Sequence, residues 1–202
     1  MKNISVKKIT ETAILVAFAI VIDVLFKLIP FLNMPQGGHV SIAMLAIIIN
    51  GFRNGWKYGL AGGVLFATLN WILDGRVYHI GSIFFDYLFA FTVLGLSGFF
   101  QKQGKSLWKF CLITFLLCFG RYIFTSLSGV LFFWEYAYVP ENLGWNLEGT
   151  ALYWIYSFVI YNLPYLGLST VLCIIVGFIL HKRNLIYKGT DIETDIELEN
   201  NQ

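Results

Sequence analysis

One acidic residue interrupts a long apolar stretch of this chain. Asp86, followed by Tyr87, lies within Ile80–Phe100, which contains no other charged residue. About 20 apolar residues suffice to cross a bilayer as a helix. A carboxylate in such a helix costs roughly 2.5–3.5 kcal/mol and normally faces a partner or a cavity. Arg121, the only Lys or Arg between residues 109 and 182, is the candidate partner. Two interpretations are open: a structural Asp86–Arg121 ion pair, or a ligand site in which Asp86 recognises a hydrogen-bond donor or a cation.

A second group of polar side chains follows one face of a predicted helix. Arg121, Thr125, Ser128 and Phe132 are spaced at i, i+4, i+7 and i+11, which places them on one side of an α-helix. Lipid cannot satisfy polar groups, so this face is expected to point into a helix bundle. The last apolar stretch adds Asn162 and several tyrosines. A carboxylate among aromatic rings suits a small flat cation or a heteroaromatic base, through charge pairing and stacking.

Composition indicates the class of protein that positions these groups. The 202 residues are 57% hydrophobic and only 13% charged, against about 25% charged residues in an ordinary soluble domain. The sequence therefore predicts an all-α integral membrane protein. The net charge of +2 is too small to indicate nucleic-acid binding, so we expect membrane lipid but no nucleic acid as a partner.

Motifs for catalysis and for cofactors are absent from the sequence. There is no Walker A, HExxH or glycine-rich dinucleotide motif, so we expect no ATP hydrolysis by this chain, no resident metal and no cofactor. Its serines and histidines form no recognised nucleophile motif, so we predict no catalytic residue and no enzyme activity. Cys111, Cys118 and Cys173 lack metal-ligand or CxxC spacing and are predicted to be small buried side chains.

Six apolar stretches are predicted to be transmembrane helices that form one domain, residues 1–183. The first runs from after Lys8 to Ile29, and the others are 40–52, 58–73, 80–100, 108–134 and 150–180. The second and third are short, so they are expected to cross obliquely or incompletely. Pro164 is expected to kink the last helix. Residues 184–202 alternate acidic and polar side chains and are predicted to be a disordered cytoplasmic tail.

The distribution of basic residues predicts the orientation in the membrane. With six spans, one side receives most of the 14 Lys and Arg residues and the other receives only Arg76. Basic loops are enriched on the cytoplasmic side, so both termini are predicted to be cytoplasmic. The loops 30–39, 74–79 and 135–149 then face outward. On this topology Asp86, Asn162 and the end of the fifth helix approach the outer face together, which predicts an outward-facing ligand cavity.

Several short motifs, spread over residues 8–183, form a family pattern. They are Ala13-x-x-x-Ala17, Met34-Pro-Gln-Gly-Gly-His-Val-Ser-Ile42, Asp86-Tyr87, Arg121-Tyr122, Ser128-Gly129 followed by Phe132-Phe133, Tyr136-Ala137 and Tyr161-Asn162. The Pro-Gln-Gly-Gly loop together with the Asp-Tyr pair and the Ser-Gly-x-x-Phe-Phe run is the most specific part. In these motifs the chain resembles the substrate-binding S components of energy-coupling factor (ECF) transporters, most closely the thiamine-specific ThiT (YuaJ-like) group.

The resemblance implies a six-helix vitamin receptor in a prokaryotic cytoplasmic membrane, which binds thiamine near the outer face. It also implies docking through the Ala13/Ala17 face on a transmembrane coupling subunit with two ATPase subunits, and import by toppling of the S component. In this pattern the acid-Tyr pair contacts the ligand and Phe133 or Trp134 stacks on it. The candidate binding residues are Asp86, Tyr87, Arg121, Thr125, Gly129, Phe133, Trp134, Tyr156 and Asn162.

Two positions depart from the family pattern. Thr125 stands where the family usually has His, and Tyr156 lies six residues before Asn162, whereas the family's Tyr-Ser pair lies five before its Asn. A thiamine precursor or a related heterocycle is therefore an alternative ligand. A stand-alone secondary transporter is an alternative mechanism, which the scarcity of acidic residues in the predicted spans disfavours. A cavity with a purely structural role, or an unrecognised membrane enzyme, is the third alternative.

Overall fold

The structure is a computed structural model that describes residues 6–35, 37–74, 79–138 and 148–187. Six main helices follow one another in these ranges: α1 (Val6–Lys27), α2 (Ala43–Asn54), α3 (Trp56–Asp74), α4 (Ile80–Phe100), α5 (Leu107–Phe132) and α6 (Gly149–Lys182). Short 3₁₀ turns lie at Pro30–Leu32, Gln103–Lys105 and Trp134–Tyr136. The prediction of an all-helical protein is confirmed for the described residues, and the helix bounds differ from the predicted ones by a few residues.

Four of these helices are long and apolar enough to cross a membrane, namely α1, α4, α5 and α6. By contrast, α2 has only 12 residues and covers about 18 Å at the α-helical rise, which is less than the roughly 30 Å hydrocarbon layer. This length agrees with the expectation that the second predicted span is too short to cross the membrane completely. The third segment, α3, has 19 residues and is not one of these four helices.

The shortest helix, α2, lies at the centre of the bundle. Every side chain from Ala43 to Ile48 is buried, and so is Phe52. It contacts α1, α3 and the C-terminal half of α4. A helical segment that is apolar around its whole circumference, as residues 43–48 are, needs neighbours on every side, and this arrangement supplies them.

Small residues let α3 and α4 pack closely. A Cβ atom added at Gly63 would lie 2.8 Å from the carbonyl oxygen of Phe91 and 2.9 Å from Cα of Thr92, so only glycine fits at this contact. Ala67, one turn further along the same helix, is also buried. In the sequence, Gly59, Gly63 and Ala67 stand four residues apart, a small-xxx-small spacing that predicts tight helix contact. The close approach at Gly63 confirms this prediction.

Two helices contain a π-helical turn. In α4 it covers Ile83–Phe89, and in α6 it covers Tyr156–Asn162, directly before Leu163 and Pro164. Proline has no N–H to donate and its ring displaces the carbonyl four residues earlier, so the wider i→i+5 pattern relieves the conflict in α6. π-Helical turns are frequently found at functional sites, and both turns here carry residues singled out from the sequence.

One end of the bundle is basic and closed. Arg53, at the end of α2, donates to the carbonyl oxygens of Leu185 and Ile186 at 3.2 and 3.3 Å. At the same end a ring nitrogen of His181 lies 2.9 Å from the carbonyl oxygen of Gly104. Ile186 is fully buried, so the packed chain extends past the predicted domain boundary at 183. The remainder of the predicted tail, residues 188–202, lies outside the described residues.

Candidate functional site

A cavity of about 460 Å³ lies at the opposite end of the bundle. Its walls come from the C-terminal ends of α1, α3 and α5, the N-terminal halves of α4 and α6, and the loop 33–39. Eight of the nine candidate binding residues line it: Asp86, Tyr87, Arg121, Thr125, Gly129, Phe133, Tyr156 and Asn162. That these residues bind a ligand stays a prediction.

Trp134 is the candidate that does not line the cavity. It follows the last turn of α5, its side chain is exposed, and its ring lies 5.8 Å from that of Tyr153. Phe133, the other candidate for stacking, does line the cavity. Between the two stacking residues that the resemblance allows, the geometry therefore favours Phe133.

The cavity-facing stripe of α5 is shifted by one position from the predicted one at its far end. Arg121, Thr125, Gly129 and Phe133, each four residues after the last, line the cavity. Ser128 and Phe132, which the sequence predicted on the same stripe, contact α4 and the residue before it instead. Ser128 donates to Asp86 of α4. Phe132 stacks on the His79 ring at 4.6 Å. At roughly 100° per residue, Gly129 and Phe133 lie to one side of the straight face that Ser128 and Phe132 continue, so the cavity lining winds around α5.

Asp86 has one hydrogen bond within the described ranges. Its Oδ2 accepts from the Ser128 hydroxyl at 2.8 Å. Arg121 lies on the neighbouring helix with its guanidinium carbon 4.3 Å from the centre of the Phe91 ring. Among the residues that the structure describes, no ion pair within 4.0 Å joins Asp86 to Arg121, and the buried Arg121 Nε has no hydrogen-bond acceptor. The contact required by the structural ion-pair interpretation is therefore not present.

A second wall of the cavity carries an acidic residue that sequence reasoning did not assign to the site. Asp23, in α1, accepts from the Asn70 amide at 2.6 Å through Oδ2, and its Oδ1 lies 3.1 Å from Nε2 of His39. Asp23 is 6% exposed, and both of its carboxylate oxygens are engaged. This cluster joins α1, α3 and the loop before α2.

A neighbouring cluster connects the ends of α1 and α3 to the interior of α4. Lys27, the last residue of α1, pairs with Oδ1 of Asp74, the last residue of α3. The Tyr87 hydroxyl of α4 donates to the other carboxylate oxygen, Oδ2 of Asp74, at 2.9 Å. The four missed side chains Lys27, His39, Asn70 and Asp74 all line the cavity with Asp23. The available signal was the i, i+4 spacing of polar groups, Asp23 with Lys27 and Asn70 with Asp74, near the ends of two apolar helices.

The loop between α1 and α2 forms a turn over the cavity. Asn33 bridges to His39, and the amide of Met34 donates to the carbonyl of Gly38 at 2.9 Å. Gly37 and Gly38 have φ of 115° and 79°, a backbone region that glycine adopts without strain. The Tyr161 hydroxyl donates to the Gly37 carbonyl at 2.6 Å. The Gly-Gly pair noted in the sequence thus shapes a wall of the site, while Gln36 lies outside the described residues.

The π-helical turn of α6 brings residues five apart together. Asn162 donates to the Ser157 carbonyl at 2.9 Å, and its own side-chain oxygen accepts from Tyr165 at 2.9 Å. The rings of Tyr156 and Tyr161, also five apart, lie 5.8 Å from each other. Asn162 therefore fixes the aromatic wall of the cavity through contacts within α6.

Ala13 and Ala17 lie away from the cavity. Both are exposed on α1 and lie roughly 100° around the helix axis from the buried residues Thr12 and Val16, respectively. A face of small exposed residues is available to another helix. Docking through this face stays a prediction.

Chemically, the cavity combines a carboxylate, a guanidinium and several aromatic rings. Asp86 offers an acceptor, Arg121 offers donors, and Phe133, Tyr156 and Tyr161 offer flat surfaces. Such a set can bind a cationic heteroaromatic molecule through charge pairing, hydrogen bonds and stacking.

Comparison with known proteins identifies relatives of this chain. A family profile described as "Thiamine transporter protein (Thia_YuaJ)" matches residues 9–188. The thiamine transporter ThiT of Bacillus subtilis (strain 168) is 33% identical over 142 residues, which cover 64% of this chain and 72% of that protein. A solved structure of ThiT from Listeria monocytogenes has the same fold, with a TM-score of 0.70 at 23% identity over 90% of this chain and 97% of that one. The chain is thus a multi-pass membrane protein that belongs to the thiamine transporter protein family.

Proposed function

We propose that this chain binds thiamine in the cavity and serves as the substrate-binding (S) subunit of an ECF-type importer in a prokaryotic cytoplasmic membrane. The observation that carries the proposal is the environment of Asp86, a carboxylate with one internal hydrogen bond in an aromatic cavity, in a chain of the thiamine transporter family. Thiamine carries a fixed positive charge on its thiazolium ring and donor and acceptor groups on its aminopyrimidine, and Asp86 complements both.

The size of the cavity supports this choice of ligand. A volume of about 460 Å³ falls within the roughly 300–1,000 Å³ of typical small-molecule sites. The lining is aromatic and polar in comparable measure, as a flat charged heterocycle requires. A cavity of this size and polarity does not match a long acyl chain or a macromolecule.

The proposed orientation follows from the two ends of the bundle. Arg53, Lys57, Lys105 and Lys182 lie at or near the closed end, and the cavity lies at the other. The positive-inside rule assigns the closed end to the cytoplasm, so the cavity opens outward and both termini are cytoplasmic. In this orientation the exposed Ala13/Ala17 face lies in the cytoplasmic half of α1, within reach of a coupling subunit that carries ATPases.

Ligand binding can be tested on the purified protein in detergent. Saturating thiamine is expected to raise the melting temperature, since a ligand that binds only the folded state stabilises it. A thiamine precursor with the pyrimidine alone serves as the comparison ligand. A larger rise in melting temperature with the precursor would identify the precursor, and not thiamine, as the ligand. No rise with either compound would contradict the proposal.

Coupling can be tested with the full transporter complex. Replacing Ala13 and Ala17 together by Leu is expected to abolish uptake while leaving thiamine binding to the isolated subunit intact. Val21→Leu adds bulk at another exposed position of α1 and serves as the matched control, with uptake retained. Loss of binding in the double variant would place this face in the ligand-binding bundle. Transport in liposomes without ATPase subunits would favour a secondary transporter instead.

A further inference from the structure

Two polar contacts connect α1 to α3 at the cavity, one helical turn apart. Asp23 pairs with Asn70, and Lys27 pairs with Asp74; both pairs are 47 positions apart in sequence. The first contact is completed by His39 from the loop, and the second by Tyr87 from α4. The second contact therefore links the ends of α1 and α3 to a residue expected to contact the ligand.

The direction of the hydrogen bond at Asp74 restricts what Tyr87 can do. A phenol has one proton, and a carboxylate that is paired with an ammonium group only accepts. Because the Tyr87 proton is directed to Oδ2 of Asp74, the phenol oxygen can only accept from any further partner. Lys27 balances the charge of Asp74 on its other oxygen.

We propose that Asp74, paired with Lys27, is a positioning residue that makes Tyr87 a hydrogen-bond acceptor toward the ligand and so selects a ligand with an N–H donor at that place. The inference rests on the proposed function, in which the donor is the exocyclic amine of thiamine. Asp74 also lines the cavity, but in this proposal it acts through its hydrogen bond with Tyr87 and not through a contact with the ligand. An analogue with oxygen in place of that amine presents an acceptor to another acceptor and is rejected.

The test compares the affinities of thiamine and of its 4-oxo analogue, measured by calorimetry on the purified full chain. An Asp74→Asn side chain can donate its amide N–H to Tyr87, so the phenol proton becomes free to turn toward the ligand. The ratio of the two affinities is expected to fall by about tenfold in Asp74→Asn, the size of one hydrogen bond of about 1.4 kcal/mol. In a Tyr87→Phe background the Asp74→Asn change is expected to leave the ratio unaltered.

Two further variants separate positioning from general damage. Tyr122→Phe removes a phenol that donates to the Phe158 carbonyl at 2.8 Å outside the cavity lining, and it is expected to leave both affinities unchanged. Asp74→Glu keeps a carboxylate and is expected to restore most of the ratio. If Asp74→Asn does not fold, Tyr87→Phe gives the same test: thiamine loses about tenfold and the 4-oxo analogue loses little.

The outcomes distinguish this inference from the proposed function. If wild-type protein binds thiamine but Asp74→Asn weakens both ligands equally, Asp74 is structural and the inference is overturned. The inference is also overturned if Asp74→Asn changes the affinity ratio in the Tyr87→Phe background, or if Tyr87→Phe weakens the binding of both ligands equally. If the wild-type protein binds neither ligand, the proposed function itself fails and this inference fails with it.

Discussion

Two acidic residues, Asp23 and Asp86, lie within different apolar helices and line one cavity, but their surroundings differ. Asp23 has partners on both oxygens, from Asn70 and His39. Asp86 has a single bond, from Ser128, and the nearby guanidinium of Arg121 packs on a ring instead of pairing with it. A buried carboxylate with a protein partner beside each oxygen contributes to stability, whereas one with a protein partner on a single oxygen beside a cavity is available to a ligand. The number of oxygens with protein partners therefore separates two roles that the residue type alone does not.

The largest effect is expected from removing the fully engaged acid. Asp23→Ala leaves the Asn70 amide and the His39 ring without their partner in a buried place, so the free energy of unfolding should fall by about 3 kcal/mol. Chemical denaturation of the purified protein in detergent measures it. Thr68→Val removes an exposed hydroxyl bonded within α3 at 2.9 Å and should change stability by less than about 0.5 kcal/mol. Equal stability of Asp23→Ala and the wild type would remove the distinction between the two acids.

The partly unsatisfied acid is expected to affect affinity before stability. Asp86→Asn should weaken thiamine binding by about ten- to a hundredfold, because a charge-assisted hydrogen bond contributes roughly 1.5–3 kcal/mol. The melting temperature of the ligand-free protein should change little. Calorimetry gives the affinity and a thermal scan gives the stability.

Arg121→Gln is the companion variant for Asp86. If the two residues formed a structural pair, both variants would lose stability to a similar extent. A well-folded Asp86→Asn protein with wild-type affinity for thiamine would end the ligand-site hypothesis.

The smallest effect concerns the aromatic side chains near Asp86. Phe133→Ala should lower thiamine affinity by about fivefold, since an aromatic contact contributes roughly 0.5–1.5 kcal/mol beyond area burial. Trp134→Ala should change it by less than about twofold, because Trp134 lies outside the cavity lining. Titration calorimetry compares the two. A larger loss in Trp134→Ala would show that the segment after α5 rearranges around the ligand and that Asp86 has a different aromatic partner.

Sequence patterns predicted the parts of this molecule that depend on local periodicity. Hydropathy located the four long helices, and the spacing of Gly59, Gly63 and Ala67 predicted the close contact that α3 makes with α4. The four-residue step from Arg121 to Thr125 gave the first half of the cavity-facing stripe of α5. Each of these features repeats within one helix, so neighbouring positions carry the information.

Features that depend on tertiary contacts were missed for the same reason. The partners of Asp23 lie 16 and 47 positions away, at His39 and Asn70, and no local pattern connects them. The choice between Phe133 and Trp134 depends on where α5 ends, at Phe132, and helix ends are the least certain part of a sequence-based boundary. The direction of the Tyr87 hydrogen bond depends on the end of α3 and was not accessible at all.

A π-helical turn can accommodate the insertion or deletion of one residue in a helix. A wider turn absorbs one additional residue locally, whereas an insertion in regular helix rotates every later side chain by roughly 100°. The one-residue difference between the Tyr156–Asn162 spacing of this chain and that of the family pattern falls within the turn Tyr156–Asn162. A length change at this point leaves the remainder of α6 in phase with its neighbours, so we expect insertions and deletions to disturb α6 less beside the cavity than elsewhere in the helix.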